Sequence, residues 1–281
     1  MSKITDIRPS ALAGRWYPAN PEKLKESVDS YIHEAKISEI PGEIIALISP
    51  HAGHIYSGPV AGYCFATLKN LNPNLVVILS PFHQYHPDAI LTTAHQAYQT
   101  PLGNVPVDQQ SLDIVNKALI DKTGVQVKRI KNDSEHAVEI LLPFFQRSLA
   151  GEFQLLPLMI RQQEPELMRT LGEILADTLK GKKALLVAST DLSHFHPADK
   201  AEELDQTIIN TIISLDPDGL YQAQVQGSGS ACGLGALAAV IWASKTKEPI
   251  IAHQLRYAHS GDITGDHSSV VGYTAAVISI E

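Results

Sequence analysis

The chain has 281 residues, 44% of them apolar and 19% charged, with 22 basic and 30 acidic side chains for a net charge of −8. That composition excludes intrinsic disorder, and the acidic balance without a Lys/Arg cluster argues against a nucleic-acid surface. No apolar run approaches the ~20 residues that span a bilayer, the N-terminal MSKITDIRPS lacks an apolar signal core, and two cysteines exclude a disulfide framework, so the expected setting is a reducing cytoplasm.

In chain order, RPSALAGRWYPAN is rich in turn formers. A helix follows, with Asn20 as its cap, Pro21 in its first turn, and Leu24, Val28, Tyr31 and Ile32 on one face. EIIALIS (43–49) reads as a buried strand, 58–69 as a helix and LVVILS (75–80) as a second buried strand. Residues 89–107 alternate Thr, Tyr, Pro and Gly in the manner of a hairpin-like excursion. Helices are expected at 108–120 and 134–147, with a strand at 125–130 between them. FQLLPLMI (153–160) is a strand. Residues 164–180 are a helix with Leu167, Leu171, Ile174 and Leu175 in a stripe, and ALLVAST (184–190) is a third continuous apolar strand. Helices at 198–213 and 231–244 flank the loop GSGS (227–230), and strands near 250–258 and 270–280 finish the chain.

Strands that alternate with helices predict an α/β fold: a single layered domain over 1–281, with a largely parallel central sheet flanked by helices. Continuous apolar strands suit a sheet covered on both faces. No composition break marks a linker.

Histidine is the unusual count, 12 against 9 Tyr and 6 Phe. It titrates near neutrality and is a common metal ligand. Three apolar strands end alike. IIALIS runs into Pro50-His51-Ala52-Gly53-His54, LVVILS into Pro81-Phe82-His83, and ALLVAS into Thr190-Asp191-Leu192-Ser193-His194. Ligands of open α/β sheets bind beyond the carboxyl ends of the strands. If these three strands are neighbours, His51, His83 and His194 converge there.

Cys232, in GSGSACGLGALAAV, precedes an apolar helix whose N-terminus favours a thiolate; the competing reading is an inert buried thiol. Cys64, inside AGYCFATL, fits the inert reading. GLGALA follows no apolar strand and is not a dinucleotide fingerprint. Glu135 and Glu139, four apart beside His136, act either as acids at a helix start capped by Asp133 or Ser134, or as groups supporting the site. His259, Asp262, Asp266 and His267 lie in a Gly- and Asp-rich stretch that reads as a turn first and a site loop second.

GRWYP, PHAGHIYSG, SPFH, SEHAVEILLPF, STDLSHF, ACG and SGDITGDHSSVVGY follow one another in an order that resembles the Memo family (mediator of cell motility), including its prokaryotic AmmeMemoRadiSam system protein B members. The resemblance covers nearly the whole chain. It implies a fold like that of LigB-type class III extradiol dioxygenases, which use non-haem iron(II). It implies His51, His83 and Cys232 as metal ligands, with Cys232 where those dioxygenases carry a carboxylate. His194 resembles their acid/base histidine, to be oriented by Asp191 or a backbone carbonyl, and Glu135 and His136 match a polar motif lining the pocket. The cysteine softens the donor set, so zinc and copper join iron as candidate metals. His54 stands where many relatives carry Tyr, adding a ligand or proton carrier at the rim. The implied function is a metal-dependent, dioxygenase-like oxidoreductase acting on a small molecule. The alternative is a peptide- or protein-binding module, an accessory subunit to AMMECR-type and radical SAM proteins.

Overall fold

Runs of apolar residues that can be satisfied only by burial on both faces decide the architecture. In the computed structural model of the protein, which describes residues 4–247 and 249–281, strand β1 (Ile7–Arg8) and helix α1 (Pro21–Glu34) precede β2 (Glu43–Ser49), α2 (His54–Ala66) and β3 (Leu75–Pro81). Three short strands follow, β4 (Ile90–Thr93), β5 (Ala97–Thr100) and β6 (Gly103–Pro106), then α3 (Gln109–Thr123) and β7 (Val127–Ile130). A 3-10 turn (Glu139–Leu141) leads into α4 (Leu142–Ser148), β8 (Gln154–Ile160), α5 (Pro165–Thr178) and β9 (Ala184–Ser189). The remainder comprises β10 (His194–His196), α6 (Ala198–Ile213), α7 (Pro217–Gln226), α8 (Leu234–Lys245), β11 (Ile250–His259), the short α9 (Gly261–Thr264) and β12 (Val270–Ile280).

The main sheet runs β10–β12–β2–β9–β3–β8–β4–β7, with β11 also paired to β12. Its centre, β2–β9–β3–β8, is parallel, and these strands are the continuous apolar runs of the sequence. β12 and β4 flank that centre antiparallel, so the sheet is mixed rather than largely parallel. The reason is that apolar continuity reports burial on both faces, not direction: β12 is as buried as the strands of the parallel centre. A second sheet, β1–β5–β6, is built from the excursion at 89–107 and the N-terminal strand.

Helices cover the main sheet, with α2 against β2 and β12, and α8 against β2, β3 and β9. The buried apolar side chains form one continuous cluster. Asn20 Oδ1 accepts the Lys23 amide at 3.0 Å and starts α1. α1 lies so close to α2 that a Cβ at Gly62 would stand 2.3 Å from the Tyr31 carbonyl oxygen.

The helix expected over 134–147 begins only at Leu142, with Pro143 in its first turn. Upstream, side chains take the amides that a helix would need. Asp133 Oδ1 accepts the Glu135 amide at 3.2 Å, and Glu135 Oε1 accepts those of His136 and Ala137 at 2.8 and 3.0 Å. Asp side chains commonly compete with helical hydrogen bonding in this way, and here Glu135 does the same. Glu135 and Glu139 therefore share no helix face.

Candidate metal centre

The sheet order β2–β9–β3 sets the carboxyl ends of the three look-alike strands side by side, with Ser49 opposite Ser189. The loop after β2 carries His51, and the loop after β3 carries His83. The third imidazole comes from the irregular segment between β7 and the 3-10 turn, as His136. One nitrogen from each of these three rings lies within 4.8 Å of the other two. Ring centroids are 5.3 Å apart for His51–His83 and for His51–His136, and 4.5 Å for the stacked His83–His136 pair. The Trp16 ring closes one side, 4.4 Å from His136.

The protons on two of these rings are fixed by their partners. Ser189 Oγ donates its only proton to the Ala137 carbonyl at 2.7 Å, so at 2.9 Å from His51 Nδ1 it can only accept. His51 is therefore protonated on Nδ1 and keeps a lone pair on Nε2. His83 Nδ1 lies 2.9 Å from Glu135 Oε1 and 3.1 Å from Oε2, and a carboxylate only accepts, so His83 also presents Nε2. His136 Nδ1 stands 3.3 Å from the same Oε1. Burial opposes ionisation of Glu135, but hydrogen bonds from His83 outweigh it and hold the carboxyl at about 2. Burial lowers His136 to about 4. His51 is depressed well below the usual histidine range by burial and then by its two imidazole neighbours. An imidazole whose Nδ1 is tied to an acceptor turns Nε2 to a metal, and the carboxylate–histidine pair is the usual means of holding such a ligand. The group can hold a metal ion.

Cys232 precedes Gly233, the residue before α8, and a Cβ at Gly233 would meet the Ser189 carbonyl oxygen at 2.6 Å. That glycine lets α8 approach the end of β9 and brings Cys232 Sγ to 3.3 Å from His51 Nε2. The sulfur accepts the Asp191 amide at 3.2 Å. The thiol has two acceptors within reach, His51 Nε2 and the Asp191 carbonyl at 3.5 Å. The helix N-terminus does not produce a thiolate here, because burial, and then the Asp191 charge, pushes Cys232 up to about 12. The set of mutually close donor atoms contains His136 and not Cys232, which joins it through His51 alone.

Asp191 Oδ1 accepts the backbone amide of His51 at 2.7 Å, so it braces the His51 loop rather than the His194 ring. Burial raises its carboxyl to about 7. His194 is partly buried on β10, near enough to His83 for like-charge repulsion to add to burial in lowering its pKa. His54 is not at a rim. It is 3% exposed, donates from Nε2 to the Ile140 carbonyl at 2.9 Å, and packs against the Tyr17 and Phe144 rings at 5.3 and 4.9 Å. Glu139 is fully buried, bonded to Arg8, Ser10, Tyr17 and two amides of the N-terminal loop. His259 ends β11, Asp262 lies in α9 and His267 in the loop between α9 and β12, with the two rings 5.2 Å apart. A separate cleft of about 230 Å³ between α1, α2, β11 and α9 is lined by Tyr31, Tyr56, Tyr63, Arg256 and His259, and none of the three imidazoles reaches it.

The family model described as "Memo-like protein" matches residues 8–277. A MEMO1 family protein from Methanosarcina mazei is 33% identical over 275 residues, covering 97% of this chain and 99% of its own. One from Nitrosopumilus maritimus is also 33% identical over 275 residues, at 96% and 98% coverage, and one from Methanopyrus kandleri is 34% identical over 281 residues. Among solved structures, an uncharacterized Escherichia coli K12 protein superposes with a TM-score of 0.50 at 14% identity, over 84% of this chain and all of that one, a likeness of fold alone. With its motifs in order from β1 to β12 and relatives aligned over nearly their full length, this chain belongs to the Memo family.

Proposed function

We propose that the protein binds one divalent transition-metal ion between His51, His83 and His136 and uses it for redox chemistry on a small molecule. The observation that carries this reading is the mutual approach of three imidazoles, two of them with Nδ1 tied to an acceptor. Such a set leaves coordination positions open and suits iron(II), copper or zinc; iron is preferred on the resemblance to the dioxygenases, since three histidines alone also make a zinc site. When bound, the ion would supply Lewis acidity and, for iron or copper, one-electron redox capacity.

The protein's own groups have separate tasks. Glu135 and Ser189 hold the rings so that Nε2 of His51 and His83 point inward. Cys232 is the candidate fourth donor, its thiol proton having to leave before sulfur could coordinate. His194, neutral at pH 7 and beside His83, is the candidate proton carrier for a bound substrate. Asp191 fixes the His51 loop.

Metal analysis of protein purified without added metal tests the assignment. The wild type is expected to hold close to one ion per chain. His51→Ala, His83→Ala and His136→Ala should each lose at least tenfold in affinity, and Cys232→Ala reports whether sulfur belongs to the set. Undiminished metal in all three histidine variants would contradict it.

A further inference from the structure

Residues 135–137 contribute one imidazole and control the other two. The Glu135 carboxylate takes His83 at both Nδ1 and the backbone amide, the latter at 2.7 Å, and it faces His136 Nδ1. The Ala137 carbonyl takes the Ser189 hydroxyl, which in turn accepts from His51. Any shift of these residues therefore moves the orienting partner of every ring in the site.

The main sheet meets the segment through Ser189 at the end of β9, and the small sheet holds it from the other side. Arg8, on β1 of the small sheet, is 1% exposed and lies over the Tyr98 ring at 4.9 Å. Its Nε reaches Asp133 Oδ2 at 3.2 Å and its Nη1 reaches Glu139 Oε2 at 2.6 Å. Nη2 reaches Asp133 Oδ1 at 2.9 Å and the carbonyls of Asp133 and Glu135 at 3.1 and 2.8 Å. β1 is itself fastened: Gln96 accepts the amides of Thr5 and Asp6, and Asp6 bonds His95 and Lys131, each at 2.6 Å. One guanidinium thus clamps both ends of the segment, and only a planar fork with several donors can serve carboxylates on two sides and two carbonyls together.

We propose that Arg8 is a positioning residue for the candidate metal centre: by clamping residues 133–139 from the small sheet, it sets the ring orientation and proton placement of His51, His83 and His136. The effect on metal affinity rests on the reading in the preceding subsection, whereas the effect on proton placement does not.

The test uses the full chain, labelled with nitrogen-15, stripped of metal, and compared as wild type, Arg8→Lys and Asp133→Asn. Circular dichroism checks the fold. Long-range proton–nitrogen spectra read the tautomer of each ring, and cobalt(II) titration reads affinity and ligand-field bands. Wild-type His51 and His83 should each show a single Nδ1-protonated form. In Arg8→Lys, whose single ammonium cannot span both carboxylates, His83 and His136 should show averaged tautomers, and cobalt should bind 10- to 100-fold more weakly with altered bands. Asp133→Asn, of the same shape, should give the same signature to a smaller degree, and it carries the test if Arg8→Lys does not fold. Folded variants with wild-type tautomers and wild-type cobalt binding would overturn the assignment of Arg8. Scrambled tautomers in a protein whose wild type binds no cobalt would uphold Arg8 and refute the metal reading.

Discussion

A neutral imidazole carries one proton, and on two of the site's histidines its position is dictated by acceptors that have no proton to return. Ser189 spends its hydroxyl on Ala137, and Glu135 is ionised, so Nδ1 of His51 and Nδ1 of His83 each face an acceptor before any ion arrives. Other histidines are buried for packing. His54 is depressed to about 4 by burial. Its folded pKa lies below its unfolded one, so its contribution is complete above pH 6.5 and is lost as pH falls through 4. His54→Gln keeps a donor for the Ile140 carbonyl and cannot titrate. Urea unfolding at pH 7 and pH 5 should therefore show a loss of stability about 2 kcal/mol smaller in this variant than in the wild type. Phe195 holds φ at 63° while 78% exposed, a conformation that costs a non-glycine residue of order 1 kcal/mol or more. Phe195→Gly should raise the unfolding midpoint in thermal denaturation, because no buried contact is lost with the ring.

At the scale of elements, the positions of strands and most helices are legible because burial writes itself into apolar runs. β2, β3, β8, β9 and β12 lie where the hydrophobic pattern puts them, to within a residue or two. Direction is not written there, and the antiparallel setting of β12 and β4 could not be read from it. The segment 134–141 misleads for a different reason: its composition favours a helix, but Asp133 and Glu135 turn their side chains onto the local amides. His136 is thereby carried into the site from a segment that looks helical, which is why strand-end reasoning finds His51 and His83 and not the third ring. The α1–α2 contact offers a direct check. Gly62→Ala would drive a methyl into the Tyr31 backbone, which cannot rotate away, and should cost about 1–3 kcal/mol in denaturant unfolding.

At the scale of the molecule, two sheets cooperate. The parallel centre of the large sheet delivers His51 and His83 from the ends of β2 and β3, on either side of β9, and the small sheet supplies Arg8, which braces the segment bearing His136. Residues from Arg8 to Cys232 gather at one pocket, inside a family match that runs from residue 8 to residue 277. No described helix is long and apolar enough to cross a membrane. The most direct measurement of the central claim is an anomalous-scattering map from crystals of protein purified without chelator or added metal. A single peak is expected within coordinating distance of ring nitrogens from His51, His83 and His136. An empty pocket in protein that carries its metal elsewhere would contradict it.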